Sequence, residues 1–320
     1  MKKVYFLLLL VPIMNIISCK KEVTSSNTIP AVPETGMYIS QQYDDAQLTT
    51  ISNIPYSTRE NFNRIQYASD LTIATDTLSD SIVLTMDVVL PPNATANSHL
   101  PVIVYIHGGD FYAGTKEGIL DEAKTYARAG YVAVSIDYRL TKDNFTDLGL
   151  RVKAITSSVD DGMNAIRFLK KNADTYHIDV NRIATIGSSA GGGISMINAI
   201  QYDELLTTRS DYPGISSKIQ GAISTGATLV ETGIDPLQFL VFDSFDTPVL
   251  LYHANPEDGY RHTTWTGNVI PTQTLINNSG NECIISPQPD LTHTVDLSLG
   301  GAYWNVTKEF LWKKLKLYTL

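Results

Sequence analysis

Short apolar runs alternate along this chain with segments whose apolar residues recur at helical spacing. Pro101-Val102-Ile103-Val104-Tyr105-Ile106 and Arg182-Ile183-Ala184-Thr185-Ile186 read as buried strands. Pro248-Val249-Leu250-Leu251-Tyr252-His253 is a third candidate, and Asn281-Glu282-Cys283-Ile284-Ile285-Ser286 reads as the last. Gly192 to Ile200 carries apolar positions that suit a helix. Asn305 to Leu317 forms a closing one, with Val306, Phe310, Leu311, Leu315 and Leu317 among its apolar positions. This alternation predicts a mostly parallel central sheet with helices on both faces. No internal repeat interrupts it.

Two glycine motifs sit where the pattern passes from strand to the following segment. Gly187-Ser188-Ser189-Ala190-Gly191 links a strand to a helix, the context of a nucleophile elbow. The tight turn demands small residues two before and two after its apex, and Gly187 and Gly191 meet that demand. Ser189 is left exposed at the apex, with the N-terminal dipole of the next helix behind it. Alone, the pentapeptide also fits a Gly/Ser-rich turn without chemistry. The second motif, His107-Gly108-Gly109-Asp110-Phe111, ends a strand with paired glycines whose backbone can curl its N–H groups toward an oxyanion.

With both motifs in place, the chain resembles the α/β-hydrolases of the esterase/lipase group, near the carboxylesterases and hormone-sensitive-lipase-like esterases. Asp110 departs from the fully glycine version of the first motif, which leaves Gly108 and Gly109 as its donors. The resemblance extends from about Leu84 to the C-terminus. Leu84 to Pro92 resembles the opening strand of these esterases, and Tyr131 to Leu140 the next core strand with its Asp-Tyr-Arg-Leu ending. Asp161 to Asn172 is similar to the helix before the nucleophile strand, with Ala165, Ile166 and Leu169 on one face. Tyr176 to Ile183 is similar to the lead into that strand.

The resemblance implies a triad in the chain order Ser, acid, His, with Ser189 as nucleophile. The acid is expected in the loop Ala254-Asn255-Pro256-Glu257-Asp258-Gly259. Asp258, beside a turn glycine, is the first choice. Glu257 is its rival, because the family's usual offset from the strand-end His253 falls on it. Asp290 and Asp296 are the alternatives if this loop does not supply the acid. His293, between the last strand and the closing helix, is expected as the general base. His107 belongs to the His-Gly-Gly loop and reads as structural, His253 stands in the wrong place in the order, and His99, His177 and His262 read as surface residues. Backbone N–H groups of Gly108, Gly109 and Ala190 would form the oxyanion hole. Phe111, Tyr112 and Tyr138 are expected near the substrate. The stretch from Thr228 to Asp246 and the segment before Leu71 are the candidate lids.

The amino terminus bears on location. Lys2 and Lys3 precede an apolar stretch from Val4 to Ile17 that Pro12 and Asn15 interrupt, too short and broken for a comfortable membrane span. It reads as a secretory signal over residues 1–18. Ile16-Ile17-Ser18-Cys19 resembles a bacterial lipobox, with Cys19 as the lipid-bearing first residue. The alternative is a general signal peptide with an incidental cysteine. A Ser/Thr/Pro-rich tether over 19–36 would then lead into one α/β-hydrolase domain over 37–320. The expected place is a bacterial cell envelope, facing the periplasm or the exterior. Only Cys19 and Cys283 occur, so an intramolecular disulfide is not expected, and Cys283 reads as packed in a core strand.

A formal net charge of −9 argues against a nucleic-acid partner. With no Cys/His cluster at ligand spacing, no metal is expected, and the triad chemistry calls for no cofactor. The resulting expectation is a serine carboxylic-ester hydrolase for small or medium acyl esters, with acetyl or feruloyl groups on carbohydrate as candidate substrates. Two other readings compete. A serine peptidase of this fold would carry an aromatic after the nucleophile and a large extra domain, whereas Ala190 follows Ser189 here. A silent binding protein on the same scaffold would have lost its Ser or His.

Overall fold

The computed structural model describes residues 29–61, 65–66, 75–76, 80–142, 144, 147–203, 210–230 and 240–320. The proposed signal, Cys19 and most of the proposed tether lie outside these residues, as do 67–70 before Leu71 and 231–239 within the Thr228–Asp246 stretch. From Ala31 to Leu320 the chain forms one compact unit. Tyr38 and Ile39, just beyond the expected tether, are buried, and the Trp304 indole N–H donates to the Ile39 carbonyl at 3.0 Å.

Eight strands build one sheet: β1 (Thr49–Glu60), β2 (Ser81–Leu90), β3 (Leu100–Ile106), β4 (Val132–Ile136), β5 (Ile178–Ser188), β6 (Gly221–Thr225), β7 (Val249–Ala254) and β8 (Cys283–Gln288). Their order across the sheet is β1-β2-β4-β3-β5-β6-β7-β8. β1 with β2 and β2 with β4 are antiparallel, and every other pair is parallel. The alternation inside each strand sorts side chains to two cores. Val102, Val104 and Ile106 of β3 face one, and Ile103 and Tyr105 face the other. Helices α2 (Leu148–Lys171), α3 (Ala190–Ile200) and α4 (Ile270–Asn278) cover the first core. Helices α1 (Leu120–Arg128) and α5 (Trp304–Lys314) cover the second. This is the two-faced parallel sheet that the hydrophobic pattern predicts.

Three elements depart from the expected ones. Helix α2 begins at Leu148, well before the expected start at Asp161. Asp147 caps it, its carboxylate accepting the Leu150 N–H at 2.8 Å. Before Asp161, buried Ala154, Ile155 and Val159 are interspersed with Ser157, Ser158 and Asp160, which are also buried, so polar residues break the apolar stripe. Asp161 receives Arg139 of the loop after β4 in a two-pronged ion pair, with its nearest approach at 2.9 Å. Strand β1 escapes the pattern because it is an edge strand with a largely exposed run and Pro55 inside it. Strand β6, Gly-Ala-Ile-Ser-Thr, is small and polar yet wholly buried between β5 and β7.

Register places the functional loops together. Ile106 pairs with Gly187, and Gly187 with Ser224, so β3, β5 and β6 end level at their carboxyl ends. Pro287 pairs with His253, and β7 and β8 therefore open their loops on the same edge. Ligand sites in open parallel sheets form at this edge. Helix α1 steadies the last loop, where the Tyr126 hydroxyl donates to the Leu297 carbonyl at 2.6 Å and the Leu299 N–H donates to Thr125 Oγ1 at 3.1 Å.

Tyr126→Phe removes that buried donor and leaves the Leu297 carbonyl unsatisfied. It should cost about 1–1.5 kcal/mol and lower Tm by about 2–6 °C, measured by thermal melts. An unchanged Tm would show that the carbonyl finds another partner.

Candidate active site

Ser189 stands at the junction of β5 and α3 with φ 51° and ψ −119°, a backbone geometry that costs an ordinary residue about 1–3 kcal/mol. The surroundings impose it. A β-carbon on Gly187 would lie 2.1 Å from the Gly191 carbonyl oxygen, and one on Gly191 would lie 2.1 Å from that of Ile106. The Ser189 N–H donates to the Thr225 carbonyl at 2.8 Å, and its own carbonyl accepts Gly193 N–H at 3.1 Å. The side chain is thereby thrust off the sheet edge at the start of the helix.

His293, in the loop after β8, reaches this side chain. Its Nε2 lies 2.9 Å from Ser189 Oγ, and its Nδ1 lies 2.6 Å from Asp258 Oδ2. Asp258 is fully buried in the loop after β7, and its other oxygen accepts the backbone N–H groups of Tyr260 and Arg261, each at 2.8 Å. Burial works to raise the Asp258 pKa. The bonds from His293 and from these two amides outweigh it and hold the carboxyl below its ordinary range, so it is charged at neutral pH. The rival Glu257 points away, its carboxylate on the exposed His262 Nδ1 at 3.0 Å. Asp290 and Asp296 are both exposed. The structure thus joins Ser189, His293 and Asp258 in one chain of hydrogen bonds.

The His107–Phe111 loop lies alongside, and each of its carbonyls is turned back into the protein. The Tyr138 hydroxyl donates to His107 and Gly108 carbonyls at 3.0 and 3.2 Å. Tyr112 and Ala113 N–H groups bond the Gly109 carbonyl at 2.8 Å each. Asn144 Nδ2 and Arg151 Nη1 bond that of Asp110 at 3.1 Å each, and Thr141 N–H bonds that of Phe111 at 2.7 Å. The carbonyls are thus engaged, which leaves the Gly108 and Gly109 amides to be accounted for. Neither makes a backbone hydrogen bond among the described residues. Gly108 abuts the serine, since a β-carbon there would lie 3.2 Å from Ser189 Cβ. Ala190 opens α3, where the first N–H groups have no intrahelical partner.

A cavity of about 30 Å³ opens at Ser189, lined by Asp110, Phe111, Arg151, Ala190, Gly193, Gly226, Ala227 and Arg261 as well. Phe111 is where the motif predicts it. Tyr138 is a correction: it is fully buried beneath the loop, its ring stacked on His107 at 4.2 Å, and it holds carbonyls rather than substrate. Tyr112 does not line the cavity either. Sequence reasoning missed Arg151, Tyr260 and Arg261. Arg151 sits on the unpredicted half of α2, while Tyr260 and Arg261 follow the acid directly and were open to notice as its neighbours.

The remaining candidates are structural. Burial pushes His107 down to about 4, so its imidazole is neutral at ordinary pH. His253 is fully buried, bonded to Thr263 Oγ1 at 2.9 Å, and burial lowers its pKa as well. His99 and His262 are exposed, and His177 is half-buried. Cys283 is buried, which pushes its thiol up to about 12. Among the described residues, no group of three or more His, Cys, Asp or Glu is placed to hold a metal ion.

The chain is similar to known proteins over part of its length. The family model named BD-FAE matches residues 86–229. The carboxylesterase NlhH of Mycobacterium tuberculosis is 34% identical over 129 residues, which are 40% of this chain and 36% of that protein. The para-nitrobenzyl esterase of Bacillus subtilis is 32% identical over 31% of this chain and 21% of its own length. The chain therefore spans about a third or less of these curated relatives. Among solved structures, a truncated carbohydrate esterase from gut microbiota superposes with a TM-score of 0.62 at 17% identity, covering 87% of this chain and all of its own. Together with the sheet order and the elbow, these likenesses establish that the chain has the α/β-hydrolase fold and is similar in sequence to carboxylesterases.

Proposed function

We propose that this protein is a serine carboxylic-ester hydrolase. The observation that carries the reading is the unbroken hydrogen-bond chain from Ser189 through His293 to buried Asp258, set beside Gly108 and Gly109, whose amides make no backbone hydrogen bond among the described residues. In this mechanism, Ser189 Oγ attacks the ester carbonyl as His293 Nε2 takes its proton. Asp258 fixes the tautomer with hydrogen on Nδ1 and stabilises the imidazolium. The Gly108, Gly109 and Ala190 amides stabilise the oxyanion; loss of one such donor typically costs on the order of 3 kcal/mol in barrier. Collapse breaks the bond to the alcohol, which leaves with the proton from His293. Water then adds to the acyl-serine by the same route, releasing the acid and restoring Ser189.

The substrate reading is a short acyl group on a polar alcohol. It is supported by the small cavity and by a lining that includes a carboxylate and two guanidinium groups, a poor surface for a long alkyl chain. The likeness to a carbohydrate esterase supports a sugar as the alcohol. Acetyl or feruloyl groups on plant polysaccharide are the candidates for direct assay. We further propose attachment to a bacterial envelope membrane through lipid on Cys19, on the strength of the Ile16-Ile17-Ser18-Cys19 pattern.

A fluorophosphonate probe should label Ser189 and not Ser188, and Ser189→Ala should abolish p-nitrophenyl acetate turnover with the fold intact. Residual turnover within tenfold of wild type would overturn the nucleophile assignment, and cleavage of aminoacyl-nitroanilides without ester turnover would favour a peptidase.

Asp258→Asn should lower turnover on the order of 10⁴-fold, because the amide stabilises the wrong imidazole tautomer. Glu257→Gln should change it less than about threefold, since its partner His262 lies outside the triad. The reverse order of losses would move the acid to Glu257.

Acetate should be preferred to octanoate by about tenfold or more in kcat/KM across a p-nitrophenyl series. Parity or a reversed order would refute the short-acyl reading.

Full-length protein expressed in a bacterium should enter the detergent phase, and Cys19→Ser should release it, since multiple acyl chains hold a protein where one barely does. A soluble wild-type product whose mature end is not Cys19 would refute the anchor.

A further inference from the structure

Asp110 occupies the position after the paired glycines, and its carboxylate reaches across the mouth of the site. Its Oδ2 accepts the Tyr260 hydroxyl at 2.6 Å, and its Oδ1 lies 3.3 Å from Arg261 Nη1. Both partners follow Asp258 in the loop after β7, and their backbone amides are the ones that bond Asp258 Oδ1. The Tyr260 ring also rests against the His293 imidazole, with centroids 4.8 Å apart at an interplanar angle of 43°. One residue, Tyr260, therefore touches the proposed base with its ring, the proposed acid with its backbone amide and the oxyanion loop with its hydroxyl.

The need for such a link follows from the sheet. The oxyanion loop leaves β3 and the acid loop leaves β7, with β5 and β6 between them. Three strand spacings separate the two loop bases by roughly 14 Å. Their relative position therefore cannot be set by direct pairing between their strands. Tyr260 is 60% exposed, where a hydrogen bond contributes little to stability, yet its bond to Asp110 is short and charge-assisted. Catalytic constellations have to be held within about 0.5 Å.

Resting on the esterase reading above, we propose that Asp110 and Tyr260 are positioning residues: their hydrogen bond is a strut that holds the oxyanion-loop amides in register with the His293–Asp258 pair. The ring shields one side of the imidazole while the hydroxyl fixes the loop. Asp110, where the family's glycine-rich pattern has another glycine, supplies that link.

The test is a double-mutant cycle with Tyr260→Phe, Asp110→Ala and the pair together. A short p-nitrophenyl ester reads kcat and KM, and thermal melts read stability. Each single change should lower kcat by about tenfold with KM within about twofold and Tm within about 2 °C. The double variant should be no slower than the slower single one. Asp110→Asn, whose amide oxygen still accepts the phenol, should retain most of the wild-type kcat although it loses the ion pair to Arg261. The rate of Ser189 labelling by a fluorophosphonate should fall in step with kcat. Losses that multiply in the double variant, losses confined to KM, or no loss at all would overturn the strut. If Asp110→Ala does not fold, Tyr260→Phe and Asp110→Asn decide the matter as single variants: an about tenfold kcat loss in the first beside near wild-type kcat in the second is expected, and no loss in the first or an equal loss in both overturns the strut. Wild-type protein that hydrolyses no ester overturns the esterase reading itself, whereas active wild type with multiplying losses overturns the strut alone.

Discussion

The site depends on one close approach of backbone to backbone. The α-carbon of Gly191 packs so near the Ile106 carbonyl that a methyl group would overlap it at 2.1 Å. That contact clamps the start of α3 onto the end of β3, and nothing larger than hydrogen fits between them. Two consequences follow from it. Ser189 is held in its strained conformation, and the chain leaving β3 places Gly108 against the serine. The strain at Ser189 persists because the packing on all sides over-determines it.

A second layer of control lies beneath the oxyanion loop. Tyr138 pins the His107 and Gly108 carbonyls, and the next residue, Arg139, is gripped by Asp161 of α2. Arg59 of β1 approaches the same carboxylate at 3.6 Å. Buried ion pairs of this kind add little net stability, since desolvation offsets their attraction. Their value here is geometric: removing one partner strands a buried charge, so the segment carrying Tyr138 has one favourable position. Helix α2 thus combines apolar packing with a buried carboxylate, Asp161, that locates a loop.

The acid loop shows how neighbours in sequence acquire opposite roles. Asp258 and Glu257 are adjacent carboxylates of equal formal charge. Asp258 turns inward, where three N–H donors compensate its burial: two backbone amides and the imidazole. Glu257 turns away from the triad, its carboxylate on the exposed His262. An inward charge without those donors would be costly, so the backbone of Tyr260 and Arg261 decides which of the two carboxylates faces His293.

Features encoded by local chemistry are legible from the residues alone. The apolar periods marked the buried strands β3, β5 and β7, and the spacing of Gly187, Ser189 and Gly191 marked the elbow, because a tight turn excludes side chains wherever it occurs. The order Ser, acid, His came from the resemblance to the esterases, which left Asp258 and Glu257 both open as the acid, while Ser189 and His293 each follow a readable strand. Only the tertiary structure decided the rest. Strand β6 is buried without being apolar, since neighbours on both sides satisfy its backbone, and the middle of α2 buries Asp161 because Arg139 and Arg59 arrive from distant parts of the chain. Tyr138 is expected near the substrate, yet it lies buried under the oxyanion loop. Arg151, Tyr260 and Arg261 reach the site through contacts with Asp110 that span from 41 to 151 residues of chain. Periodicity records which face of an element is buried; it does not record which distant side chain meets it there.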